Sequence, residues 1–138
     1  MTTTTTPEDV VREVFRRDGA GDLDGAAALF APSVDFAIPG APDIPWIPDA
    51  DSPEGMREFF RRLHDQLSRE SFDITHTLTD GDDVVLLGRL HSVVKATGRP
   101  IHSRFAMHMT VTDGLITRWH MYEDGWEVAR AAGLVTTD

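Results

Sequence analysis

The spacing of apolar residues changes once along this chain, and that single change limits what it can fold into. Before Ser71 the apolar positions recur at helical spacing; after it they alternate with polar ones. Thr6-Pro7-Glu8-Asp9 reads as a helix start, with Thr as cap, Pro in the first turn and acids facing the dipole. Val10, Val11, Val14 and Phe15 continue it as one stripe that ends at Gly19. Asp22 caps a second short helix carrying Leu23, Ala26, Ala27, Leu29 and Phe30, and a brief strand follows over 34–38. Prolines at 39, 42, 45, 48 and 53 make the next segment a loop around Trp46 and Ile47. Ser52-Pro53 opens a third helix with Met56, Phe59, Phe60, Leu63 and Leu67 on one face. Strands are then expected over 72–79, 84–95, 101–111 and 115–123, joined by Asp80-Gly81-Asp82, Thr97-Gly98-Arg99-Pro100 and Thr112-Asp113-Gly114. Asp124 is placed to cap a last short helix, 126–132. Helices first and a hairpin meander second, with no strand-helix alternation, predict an α+β fold with helices on one face of a curved antiparallel sheet. One domain over 1–138 is expected, with the tails 1–5 and 135–138 frayed.

Composition narrows the partners. The formal net charge is −10, which sets the chain against phosphate backbones and anionic bilayers, so neither nucleic acid nor membrane is an expected partner. Without cysteine there is no thiolate nucleophile, thiolate metal site or disulfide. The polar start, Met1 to Thr6, is unlike a signal peptide, so a cytoplasmic location is expected. The preference for Arg over Lys, with abundant Ala and Gly, suits a bacterial genome rich in G and C. His102, His108 and His120 follow no zinc spacing, and no metal site is expected.

The candidate site follows from strand pairing. Closing the last hairpin with Val111 opposite Leu115 sets Met107 across from Trp119 and Phe105 across from Met121. Closing the preceding one around Gly98 sets Arg89 near Met107 and His91 near Phe105. One face then carries Arg89, His91, Phe105, Met107, Met109, Trp119, Met121 and Glu123; a slip of one residue in either hairpin scrambles it. Ionisable groups on an apolar face have two explanations. Either Arg89 pairs with a carboxylate and His91 is a hydrogen-bonded core residue, or the helices leave a pocket that these groups line. The opposite face, with three His and two Arg among small residues, suits solvent or a subunit interface.

The stretch Gly19-Ala20-Gly21-Asp22-Leu23-Asp24-Gly25, with Ala28-Leu29-Phe30-Ala31 after it, resembles the nuclear transport factor 2-like superfamily. So do Gly55-Met56-Arg57-Glu58-Phe59 and Thr112-Asp113-Gly114-Leu115-Ile116-Thr117-Arg118-Trp119 with the following Tyr122-Glu123-Asp124. That superfamily includes ketosteroid isomerases, SnoaL-like polyketide cyclases, limonene-epoxide hydrolases and scytalone dehydratases. The resemblance covers nearly the whole chain and implies a cone-shaped roll, its sheet wrapped around the N-terminal helices over a deep pocket. It favours the pocket explanation. Matched residue by residue, the isomerases' general-base Asp falls on Ile38, their Tyr on or near Val14 and their protonated Asp on Met107. The epoxide hydrolases' Arg matches Arg89, but their two Asp fall on His91 and Met121; the cyclases' catalytic Asp also falls on Met121. The family therefore implies a site without its usual carboxylates, leaving Arg89 and His91.

The expected function is a cofactor-independent isomerase, cyclase or dehydratase of secondary metabolism that moves a proton next to a carbonyl. His91 is the expected acid/base, and Arg89 the anchor for a developing oxyanion. Phe36, Ile38, Trp46, Phe59, Phe105, Met107, Trp119, Met121 and Glu123 are the expected substrate contacts, shaped for a flat or polycyclic molecule. A homodimer through the outer sheet face is expected. The rival readings are a small-molecule binder without catalysis and an epoxide hydrolase in which His91 activates water.

Overall fold

The sequence signals for helix starts reappear as caps. In a computed structural model, which describes residues 5–135, α1 runs Pro7–Gly19 behind a reciprocal capping box between Thr6 and Asp9. Helix α2 runs Leu23–Ala27 behind Asp22, and α3 runs Pro53–Gln66 behind Ser52. Helix α4, Gly125–Ala131, is capped by Asp124, whose carboxylate accepts from Glu127 N–H at 3.1 Å. The strands are β1 (Phe30–Ala37), β2 (Leu67–Asp80), β3 (Asp83–Val94), β4 (Pro100–Thr112) and β5 (Leu115–Glu123). They form one sheet in the order β1-β5-β4-β3-β2. The α+β class and the curved sheet agree with expectation, and the sheet is not closed. One pair departs from a purely antiparallel sheet: β1 joins β5 in parallel, its return path being the whole of α3 and the hairpins. The expected frayed tails lie outside the described residues except for Thr5 and Val135, and Val135 packs on apolar neighbours.

Two apolar clusters hold the layers together. The larger joins Val10, Val11 and Val14 of α1 and Met56, Phe59 and Phe60 of α3 to Met107, Met109 and Trp119 on the sheet's inner face. The smaller joins Ile44 and Trp46 of the proline-rich loop to Leu67, Val94, Ile101 and Val128. Trp46 is only 4% exposed, so the loop is anchored at its centre rather than lying free on the surface.

Register is where expectation and structure part. Val94 N–H donates to Arg99 O, and Gly98, with φ of 72°, is the last of the four residues this pair encloses rather than their centre. Pairing therefore runs Leu86↔Met107, Gly88↔Phe105 and His91↔His102, an odd number of residues from the expected register. An odd shift turns every side chain of β3 over. Val84, Leu86, Gly88, Leu90, Ser92 and Val94 point inward, and Val85, Leu87, Arg89, His91 and Val93 point outward. In the last hairpin Asp113-Gly114 forms the two-residue turn between Thr112 and Leu115. A bulge between the Val111↔Ile116 and Thr110↔Arg118 pairs then restores parity. Met107 faces Met121 rather than Trp119, and Phe105 faces Glu123 rather than Met121, yet all remain on the inner face. In β2, irregularities between Arg69 and Ser71 and between Ile74 and His76 leave Phe72 and Ile74 inward and His76 and Leu78 outward.

Candidate functional site

Between the inner face of the sheet, α1, α3 and the proline-rich loop lies a cavity of about 460 Å³. That is room for a drug-sized molecule. Of the expected contacts, Ile38, Trp46, Phe59, Met107, Trp119, Met121 and Glu123 line it. Phe36 and Phe105 do not. Phe36 packs edge-on against Phe59, centroids 5.0 Å apart, and Phe105 stacks flat on Phe72 at 4.5 Å over the space left by Gly88.

Arg89 and His91 are not part of this cavity. The register turns both to the outer face, where Arg89 is exposed opposite Arg104, and the His91 ring stacks on His102 with centroids 4.1 Å apart. The expectation that they line the pocket is corrected. Val84-Val85-Leu86-Leu87 is apolar at both parities, so hydrophobicity along β3 could not choose the face. The informative signal was Gly88: an inward aromatic at Phe105 needs a partner with no side chain, since a Cβ there would lie 2.5 Å from Phe105 Cζ.

The charged residues at the cavity wall are Asp18, Arg69, Glu70 and Glu123, and only Glu123 was anticipated. Asp18 closes the last turn of α1 and is 5% exposed. Its Oδ2 accepts from Arg69 Nη1 at 2.8 Å, and its Oδ1 lies 3.0 Å from His64 Nε2. Arg69 Nη2 reaches that same ring nitrogen at 2.9 Å. One nitrogen cannot donate to the carboxylate and accept from the guanidinium together, so the tautomer of His64 decides which contact is a hydrogen bond. No sequence spacing announces this cluster, which draws on α1, α3 and β2.

Glu123 ends β5 on the inner face opposite Phe105, and among the described residues its carboxyl has neither a hydrogen-bond nor an ion-pair partner. Burial alone pushes its carboxyl up to about 7. Trp119 adds a buried indole N–H without an acceptor, and Ser92 adds a hydroxyl at the wall. The cavity is thus apolar over most of its surface; among the described residues Glu123 is the titratable group at its wall with neither an ion-pair nor a side-chain hydrogen-bond partner, Glu70 accepting from the Ser68 hydroxyl. A carboxyl that titrates near neutrality can give or take a proton at a bound molecule. The outer face is different: there His108 Nε2 sits 2.9 Å from Asp83 Oδ1 and holds that carboxyl below the usual range.

Residues 11–119 match the family model described as a SnoaL-like domain. The chain belongs to the SnoaL-like family. Among solved structures, the SnoaL-like chain is similar to an NTF2-like protein of Burkholderia xenovorans, at 22% identity over 96% of this chain and 99% of that one, TM-score 0.84. It is also similar to a Rhodopseudomonas palustris protein provisionally assigned as an isomerase, at 20% identity, 96% and 98% coverage and TM-score 0.77. A third is a Catenulispora acidiphila protein with a ketosteroid isomerase-like fold, in complex with trimethylamine, at 19% identity, 97% and 100% coverage and TM-score 0.72. These likenesses establish the nuclear transport factor 2-like fold of the SnoaL-like chain and leave its reaction to the site. We found no match among curated proteins. No helix among the described residues is long and apolar enough to cross a membrane.

Proposed function

We propose that this SnoaL-like chain is a cofactor-independent enzyme that moves a proton next to a carbonyl on an apolar small molecule, with Glu123 as the acid/base. The supporting observation is the unpartnered Glu123 carboxyl on the wall of a largely apolar cavity. Such a group, poised near neutrality, is suited to isomerisation, cyclisation or dehydration. Trp119 and Ser92 are the candidates to steady the carbonyl oxygen, as donors already at the wall. The role expected of His91 passes to Glu123 because His91 faces away. Exchange at carbon tests this directly. A panel of cyclic ketones in heavy water should take up deuterium beside the carbonyl faster with the protein than without it. Glu123→Gln should lower that rate by about a hundredfold or more. Exchange equal to buffer across the panel, or unaffected by the substitution, refutes the enzyme.

A second reading, a binder without catalysis, is favoured by Ile38 and Met121. Both line the cavity where the resemblance places the catalytic carboxylates of isomerases and cyclases. It predicts ligand binding with no exchange. In either case we propose a cytoplasmic homodimer joined through the outer sheet face. Leu78 and Tyr122 are 55% and 48% exposed there, beside Leu87 and Ala106. Tyr122→Arg should shift sedimentation from dimer to monomer.

A further inference from the structure

The charges around the cavity do not balance, and the imbalance has a chemical meaning. Three of its four charged residues are acids, and its one base, Arg69, is engaged by Asp18 at 2.8 Å. Among the described residues Glu70 accepts only from the Ser68 hydroxyl, at 2.9 Å, and no cation faces Glu123. The walls carry six aromatic rings, those of Phe15, Phe59, Phe60, Phe72, Trp46 and Trp119. Aromatic faces are electron-rich and attract a cation, most strongly where water is excluded. The net charge of −10 adds a long-range field that concentrates cations and opposes anions.

A carboxylate ligand would have to be desolvated beside Glu123, Asp18 and Glu70 with only an already paired Arg69 to meet it. A neutral ligand can share a hydrogen bond with the Glu123 carboxyl but brings no opposite charge to its ionised form. Resting on the cavity as the functional site, we infer that its ligand is an organic cation, with a protonated or quaternary amine against Glu123 and an apolar body on the aromatic wall. As a substrate class this is an amine-bearing carbonyl compound. The cation favours the ionised carboxyl, so binding near neutral pH releases a proton from Glu123 and readies it as a base. The other ionisable groups at the wall are Asp18 of α1 and Arg69 and Glu70 of β2; Asp124, next in sequence, caps α4.

The test is a pair of probes of one shape. Benzyltrimethylammonium and its uncharged carbon isostere, neopentylbenzene, differ only in the central atom. Calorimetric titration of the whole chain at pH 7, in two buffers of different ionisation enthalpy, measures affinity and counts protons. The cation should bind about tenfold or more tightly than the isostere, with a fraction of a proton released. Glu123→Gln should abolish both the preference and the release, while Asp113→Asn, the same charge change in the exposed turn between β4 and β5, should keep them. Equal affinity, a preference that survives Glu123→Gln, tighter binding of 4-phenylbutyrate, or no binding of either probe overturns the inference. Cation selectivity without ketone exchange would remove the enzyme and leave the ligand class. Exchange without cation selectivity would do the reverse.

Discussion

Replacing Glu123 by Gln should make the protein more stable, and by an amount that depends on pH. The glutamate keeps a carboxyl in the cavity wall that burial raises from 4.5 to about 7. Between those values the folded chain binds more protons at this site than the unfolded chain, so stability falls as pH rises. The difference of about 2.5 pH units, at 1.36 kcal/mol each, sets an upper bound of roughly 3 kcal/mol, all of it expressed above pH 7. Gln has nearly the same shape and no charge to desolvate. Urea unfolding of both proteins at pH 4.5, 6, 7 and 8 isolates the effect, because every other ionisable group is common to the two. The curves should nearly coincide at pH 4.5, and Gln should gain progressively to about 1–2 kcal/mol at pH 8, below the bound because the residue is half-buried. That corresponds to a melting temperature higher by roughly 5 °C. A difference that is flat across this range, or that favours Glu at high pH, would show that the carboxyl is solvated or partnered. Glu123 would then not be the raised acid of the cavity.

Other perturbations probe the frame around it. Gly88→Ala would drive a methyl group into Asp73 O and Phe105, so unfolding free energy should drop by about 2–3 kcal/mol in a urea titration. Arg69→Ala leaves Asp18, 5% exposed, with His64 alone; allowing for the partly exposed guanidinium, the loss should be about 2 kcal/mol by chemical denaturation. His91→Ala should leave ketone exchange unchanged, since the ring lies on the far side of the sheet; a large loss would restore it to the site. Asp124→Ala should lower stability by about 1 kcal/mol through loss of the α4 cap, seen as a lower melting temperature.

Much of this molecule was legible one segment at a time. Thr6, Asp22, Ser52 and Asp124 cap the helices they precede, because a cap is a contact between residues three apart. The segments that turn are equally local, though not the pairs that close them, and so is the change from helix to strand, read at Ser71 and found at Leu67. Seven of the nine expected contacts line the cavity, and three of them, Trp119, Met121 and Glu123, do so because the bulge in β5 returned them to the inner face. What sequence could not determine was the parity of β3, and with it the place of Arg89 and His91. Both parities of that strand offer apolar residues, so the choice belonged to a distant fit, the ring of Phe105 over Gly88, and to the position of Gly98 in its turn. The Asp18–His64–Arg69 cluster had to wait for three elements to converge. Glu123 was visible in the sequence only as a carboxylate near a strand end. Tertiary structure turned it into an acid that titrates near neutrality, because a pKa depends on how much water a group keeps, and that is decided by everything folded around it.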